Sequence, residues 1–145
     1  MLRAFGGMVV GYIAMAILIT VVLIGLFLAL GVERAFLPDS YEVSTLWLAI
    51  TSVISLAGAI LGGYVCAAIG KSMPACRALA GIVVILGLLL CLPAMQRGNG
   101  PNVRAGGIPD LEAMHLGVAP LWAHLLTPVL GAVGVLLGAR MKKVL

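Results

Sequence analysis

Four long stretches of this sequence contain no Asp, Glu, Lys or Arg, and that pattern constrains the fold more than any other feature. They cover residues 5–32, 43–69, 78–95 and 118–139. About 20 apolar residues in a helix cross about 30 Å of hydrocarbon, so each stretch is long enough to span a bilayer. Inside lipid no water can satisfy a backbone N–H or C=O, and a helix meets that demand within its own segment. The alternating ten-residue segments of an outer-membrane barrel are absent. The expected fold is therefore all-α: a polytopic membrane protein of four transmembrane helices forming two antiparallel hairpins, in a single domain spanning residues 1–145.

Composition agrees. The chain is 63% hydrophobic and 10% charged, with a mean hydropathy of +1.22, whereas water-soluble domains are about 45–50% apolar and about 25% charged. A net charge of +4 raises the question of nucleic acid. The basic residues are scattered beside the apolar stretches instead of forming a run that could follow a phosphate backbone, so no nucleic-acid partner is expected.

The connections give an orientation. Arg3, Lys71, Arg77, Arg140, Lys142 and Lys143 fall on one side without an acid; Arg34, Arg97 and Arg104 fall on the other with all five acids, Glu33, Asp39, Glu42, Asp110 and Glu112. The excess of basic residues places the first side in the cytoplasm, with both termini, most naturally at a bacterial inner membrane. Trp47 and Trp122 are expected at the opposite rim, where an indole keeps its ring in an apolar layer and its N–H wet. Tyr12 and Tyr64 fall near the cytoplasmic rim. The first stretch also resembles a secretory signal ending at Ala29-Leu30-Gly31, but its apolar run is about twice the usual length, which favours a retained span.

The loops are small. Residues 70–77 form the expected cytoplasmic link between the second and third spans, and residues 33–42 a tight outer loop. The long outer loop, 96–117, opens with the turn formers Arg97-Gly98-Asn99-Gly100-Pro101-Asn102. Further on, Pro109 and Asp110 could start a short surface helix with Ile108, Leu111 and Met114 on one face and Gly117 as its stop. A plain loop accounts for the same residues. The halves echo each other: Leu37-Pro38-Asp39, Leu46-Trp47 and Gly58-Ala59 find counterparts in Ile108-Pro109-Asp110, Leu121-Trp122 and Gly131-Ala132, which would make a parallel repeat.

Small residues mark the packing faces. In the second span Thr51, Ser55, Ala59, Gly63 and Ala67 form one row, and Gly58, Gly62, Cys66 and Gly70 a neighbouring one. Gly7 and Gly11 repeat the device in the first span, Gly134 and Gly138 in the fourth. Between membrane helices there is no hydrophobic drive, so such rows allow close backbone approach and dispersion contact. The chain's own bundle could use them all, or one row could be left for a foreign helix or lipid.

Few residues could carry chemistry. His124 is the ionisable side chain within a span and, with Thr51 and Ser55, a candidate polar or ligand site. Pro128 removes an N–H and frees the His124 carbonyl, which Thr127 or a water could satisfy; a static kink is the plain reading, a hinge or a gap for substrate the functional one. His115 is expected to be solvated in the loop. Cys66 and Cys91 are expected to be small packing residues. No zinc-type Cys/His spacing, Gly-x-Ser-x-Gly elbow, phosphate loop or His-Glu-x-x-His is present, so neither catalytic nor metal residues are assigned and no cofactor is expected. The expectation is a non-catalytic accessory or structural subunit whose partners are lipids, other membrane subunits or further copies of itself. The alternative is a small oligomeric transporter or channel for a neutral or lipid-like solute.

Overall fold

The computed structural model describes residues 2–97 and 117–144. Its elements are α1 (Leu2–Leu30), the single turn α2 (Val32–Ala35), α3 (Thr45–Gly70), α4 (Met73–Arg97) and α5 (Leu121–Val144). The protein is all-helical, and α1, α3, α4 and α5 are long and apolar enough to cross a membrane. The exposed large apolar side chains are mostly Val, Ile and Leu, a surface suited to lipid.

Helix ends follow local rules. Gly31 takes φ 73° and ends α1, its N–H donating to the Phe27 carbonyl at 2.9 Å, as a left-handed residue commonly does after a helix. Ser44 caps α3: its hydroxyl accepts from the Trp47 N–H at 3.2 Å and donates to the Arg34 carbonyl at 2.7 Å. The link between α3 and α4 is only Lys71 and Ser72, shorter than expected, because α4 begins at Met73. A proline in the first turn forfeits an N–H that would have no helical partner anyway, so Pro74 sits inside the helix without cost. At the other end α5 starts at Leu121 rather than 118, after Pro120.

Residue contacts fix the directions. A methyl placed on Gly7, Gly11 or Gly58 would strike Gly70, Gly62 and Ile19 respectively, so α1 and α3 run antiparallel. Gly134 meets Leu56 and Ala59, and Gly138 meets Ile60 and Tyr64, which makes α3 and α5 parallel. Gly131 faces Val83 and Gly87 faces Pro128, so α4 runs against α5. The most extensive seams are α3–α5, α1–α3 and α4–α5; α1 touches α4 sparsely, and so does α3, despite the two-residue link. Lys71, Arg77, Arg140 and Lys142 thus share one end of the bundle with Arg3, and Trp47 and Trp122 share the other.

The α3–α5 seam is reciprocal. Gly63 lies against the Val135 carbonyl, and Gly138 lies against the Ile60 carbonyl. The sequence spacing from Trp47 to Trp122 equals that from Ile60 to Val135 and from Gly63 to Gly138. These helices are related by an approximate twofold axis along the bundle. The Gly58-Ala59 and Gly131-Ala132 echo is out of this register: Gly134 is the residue that meets Ala59.

At the tryptophan end the loop between α1 and α3 is more structured than a tight turn. Phe36 bridges Val43, Glu42 bridges Val118, and the Val118 N–H donates to the Tyr41 carbonyl at 2.8 Å. Phe27, Phe36, Tyr41 and Trp47 bury one another with edge-on rings, Phe27 and Trp47 at 5.5 Å. Trp47, at the end of the bundle where it is expected, is also a core residue, packed against Phe27 and the loop. Trp122 is exposed as expected. The proposed surface helix around residues 108–117 and His115 lie outside the described residues, apart from Gly117.

Candidate functional site

A cavity of about 340 Å³ lies at the centre of the bundle, in contact with all four long helices. Its walls follow from the packing. α3 contributes Ser55 and Ala59 from one face, while α5 contributes His124, Thr127, Pro128 and Gly131. α4 supplies Val83, Leu86, Gly87, Leu90 and Cys91, and α1 supplies Tyr12, Met15 and Ile19. From His124 to Gly131 is seven residues of helix, so the cavity is about 10 Å tall. α3 and α5 pack closely behind it, while α1 and α4, which also line it, meet only sparsely.

The polar groups are few. The His124 side chain is half-buried on the cavity wall, and its ring makes no hydrogen bond among the described residues. Ser55 lines the wall one turn from Ala59. Thr127 stands at the wall with its hydroxyl donating to the Ala123 carbonyl at 2.9 Å. The third sequence candidate, Thr51, is not part of the wall: its hydroxyl donates to the Leu48 carbonyl at 3.0 Å, and Ser52 donates to the same oxygen at 2.8 Å. Hydroxyls returned to the preceding turn in this way are spent on the backbone.

The carbonyl freed by Pro128 is answered across the bundle. Cys91 Sγ donates to the His124 oxygen at 3.3 Å, so neither Thr127 nor a water is required, and Cys91 is more than a packing residue. This contact joins α4 to α5 at the cavity wall. Tyr12, Cys91 and Thr127 are the hydrogen-bonding wall residues that pattern alone did not assign to a site. Cys91 had one usable signal, a lone thiol at the depth of an unpaired carbonyl on another helix.

The small-residue candidates are all consumed within the chain. Gly7 and Gly11 pack on Gly70, Cys66 and Gly62; Gly58 and Gly62 receive Ile19 and Met15; Ala59 and Gly63 meet Gly134 and Val135; Gly138 meets Ile60. Both rows of α3 are therefore covered, one by α1 and the other by α5.

Among the described residues no group of three His, Cys, Asp or Glu side chains is placed to hold a metal ion. Among the described residues the cavity wall contains no carboxylate and no ammonium or guanidinium group. What the arrangement can do is enclose an apolar body and offer it hydrogen bonds at one end. No family model, no curated protein and no solved structure matches the chain.

Proposed function

We propose that this chain is a non-catalytic integral membrane protein that takes up a lipid-like or small neutral molecule from the bilayer into the centre of its bundle. The observation that carries this reading is the cavity of about 340 Å³ lined by all four long helices, on whose wall the His124 ring makes no hydrogen bond among the described residues. Ligand pockets are typically about 300–1,000 Å³, mostly apolar, with a few convergent polar groups. An uncharged wall disfavours an ion, whose lost hydration nothing would replace. The sparse contact between α1 and α4 suits a solute that already resides in lipid.

The bundle sits, in this reading, with both termini and the α3–α4 link in the cytoplasm, and α1–α3 and α4–α5 as two antiparallel hairpins. Six basic residues, Arg3, Lys71, Arg77, Arg140, Lys142 and Lys143, fall in the sequence flanks at one end without an acid and support it. A cytoplasm-dependent reporter is expected to work after residue 145 and to fail when inserted at 98–100; the reverse pattern would invert the protein. A bacterial inner membrane fits such a charge asymmetry.

Service as an accessory subunit is the second reading. Its support is no longer the glycine rows, which the chain covers itself. It is α1, of whose apolar core 11% is buried against 28–33% in the other spans, leaving a broad face for a neighbouring subunit or a second copy.

The test is mass spectrometry of lipids retained by protein purified in mild detergent. Native protein should keep a defined apolar ligand, and Ser55→Leu, which fills the cavity from α3, should lose it by about tenfold with the fold intact. An unchanged lipid content in Ser55→Leu would overturn the cavity as the binding site.

A further inference from the structure

We propose that the basic end of the bundle carries a second binding site, independent of the central cavity, for the phosphate of an anionic lipid headgroup. A separate cavity of about 270 Å³ lies there between the ends of α3, α4 and α5. Lys71 and Ser72 border it from the α3–α4 link and Lys142 from α5, over a floor of Ala67, Ala68 and Ala139. Each part contributes to the argument. The three alanines keep the space open where larger side chains would close it. Two lysines border it from different parts of the fold, the link and α5, and each ammonium has three donors for the oxygens of a phosphate. No acidic residue among the described ones lies at this end to neutralise them. Basic pockets between membrane helices suit phosphate-bearing headgroups for these reasons.

Two details set this pair apart from ordinary surface lysines. Lys71 occupies the left-handed region, φ 47° and ψ 31°, where its N–H closes α3 on the Ala67 carbonyl at 3.0 Å. Glycine takes that position more cheaply, so the lysine is held there at a conformational cost. Lys142 Nζ rests 5.5 Å from the centroid of the Tyr64 ring, which positions its charge against the bundle instead of leaving it in bulk water. Tyr64 and Leu61 continue the face of α3 on which Ala68 lies, and Leu61 is exposed to the bilayer. That strip offers an acyl chain a path below a phosphate seated between the lysines. A headgroup with its own quaternary cation would bring like charge toward them, so an anionic lipid is preferred over a zwitterionic one.

Delipidated full-length protein in neutral detergent would be titrated with short-chain phosphatidylglycerol, phosphatidylcholine or inorganic phosphate. Bound lipid would be counted by native mass spectrometry. Phosphatidylglycerol should bind, and Lys71→Gln and Lys142→Gln should each weaken it about fivefold. Arg140→Gln, at the same end but outside the cavity, should change it by less than about twofold. Lys71→Gly relieves the backbone and removes the charge, so it should give a protein at least as stable that still binds weakly; this separates binding from folding. Equal losses in Arg140→Gln would mean a diffuse surface charge and overturn the site. So would native binding by Lys71→Gly, or phosphatidylcholine binding as tightly as phosphatidylglycerol. Inorganic phosphate displacing the lipid at equal concentration would assign the site to a free anion and overturn the lipid headgroup.

Discussion

The two outer helices are seated on the central pair in different ways. α1 lies on the Gly58, Gly62, Cys66 and Gly70 face of α3, backbone against backbone; a methyl on Gly11 would stand 2.6 Å from the Gly62 oxygen, and one on Gly7 2.5 Å from the Gly70 nitrogen. The equivalent face of α5 in the twofold register carries Val133 and Leu137, which are exposed and offer no such seat. α4 instead crosses α5 around Pro128 and Gly131, with Val83 and Gly87 as its contacts and Cys91 as its polar tie. Equivalent cores with unequal faces place α1 and α4 out of symmetric register. That mismatch leaves the space between them, and the cavity is its result.

The largest effect should come from spoiling the α1 seat. Gly11→Leu would force apart two backbones that now touch, and overpacking alone costs about 1–3 kcal/mol in a well-packed core. With backbone as the obstacle, relaxation by side-chain movement is not available, so the upper end applies. Thermal melting in detergent should drop by 10 °C or more, on the order expected for such a loss in a chain of this size. The matched control is Gly25→Ala, because a Cβ at Gly25 meets nothing within 4 Å. There the helix should gain up to about 1 kcal/mol. If both substitutions behave alike, the two kinds of glycine position are not distinct and the account of the α1 seat fails.

This distinction also marks how far the sequence could be read. The four spans follow from uncharged length, which the bilayer dictates, and the structure agrees to within a few residues at most ends. α4 starts five residues before its uncharged stretch, and the last helix runs five residues past its own, because a helix continues through the charges that bound the apolar run, Arg77 in one case and Arg140 to Lys143 in the other. The rows Gly58/Gly62 and Ala59/Gly63 were visible as close-packing faces, yet their partners were not, since a row of small residues says that something approaches without saying what. Of the polar candidates, Ser55 and His124 reach one cavity and Thr51 does not. The difference is one turn of helix plus a competing backbone acceptor, and neither is fixed until the neighbouring helices are in place. Tyr12 and Cys91 lay beyond pattern for a related reason: a cavity formed by a mismatch between seams has no motif of its own.

A smaller effect is expected where α1 is held by rings. Phe27 is fully buried, edge-on to Trp47 at 5.5 Å and to Phe36 at 5.9 Å. In a water-soluble core Phe→Ala costs about 3–5 kcal/mol. Here lipid chains compete for the vacated volume and no hydrophobic transfer separates helix from bilayer, so about 2 kcal/mol is expected. Phe27→Leu should recover roughly half of it. Chemical unfolding in mixed micelles measures both, and a loss equal to that of Gly11→Leu would show that the aromatic cluster, not the glycine seat, fixes α1.

The smallest effect, and the sharpest test of the α4 seat, lies at Cys91. Its thiol donates to the carbonyl that Pro128 deprives of a helical partner, at 3.3 Å, from a side chain that is almost fully buried. A net hydrogen bond contributes about 0.5–1.5 kcal/mol, and a thiol is a weak donor, so Cys91→Ala should cost about 0.5–1 kcal/mol. Alanine also removes the volume of the sulfur, which confounds the result taken alone. Cys91→Ser separates the two: it keeps a donor, a stronger one, while also giving up volume. If the hydrogen bond matters, serine should melt above alanine and near the native protein. If packing of the sulfur matters instead, serine should fall with alanine or below it, since its hydroxyl is harder to bury. Serine and alanine indistinguishable from native would mean that the freed carbonyl needs no partner, and α4 would then be held on α5 by the Gly87–Pro128 and Val83–Gly131 contacts alone.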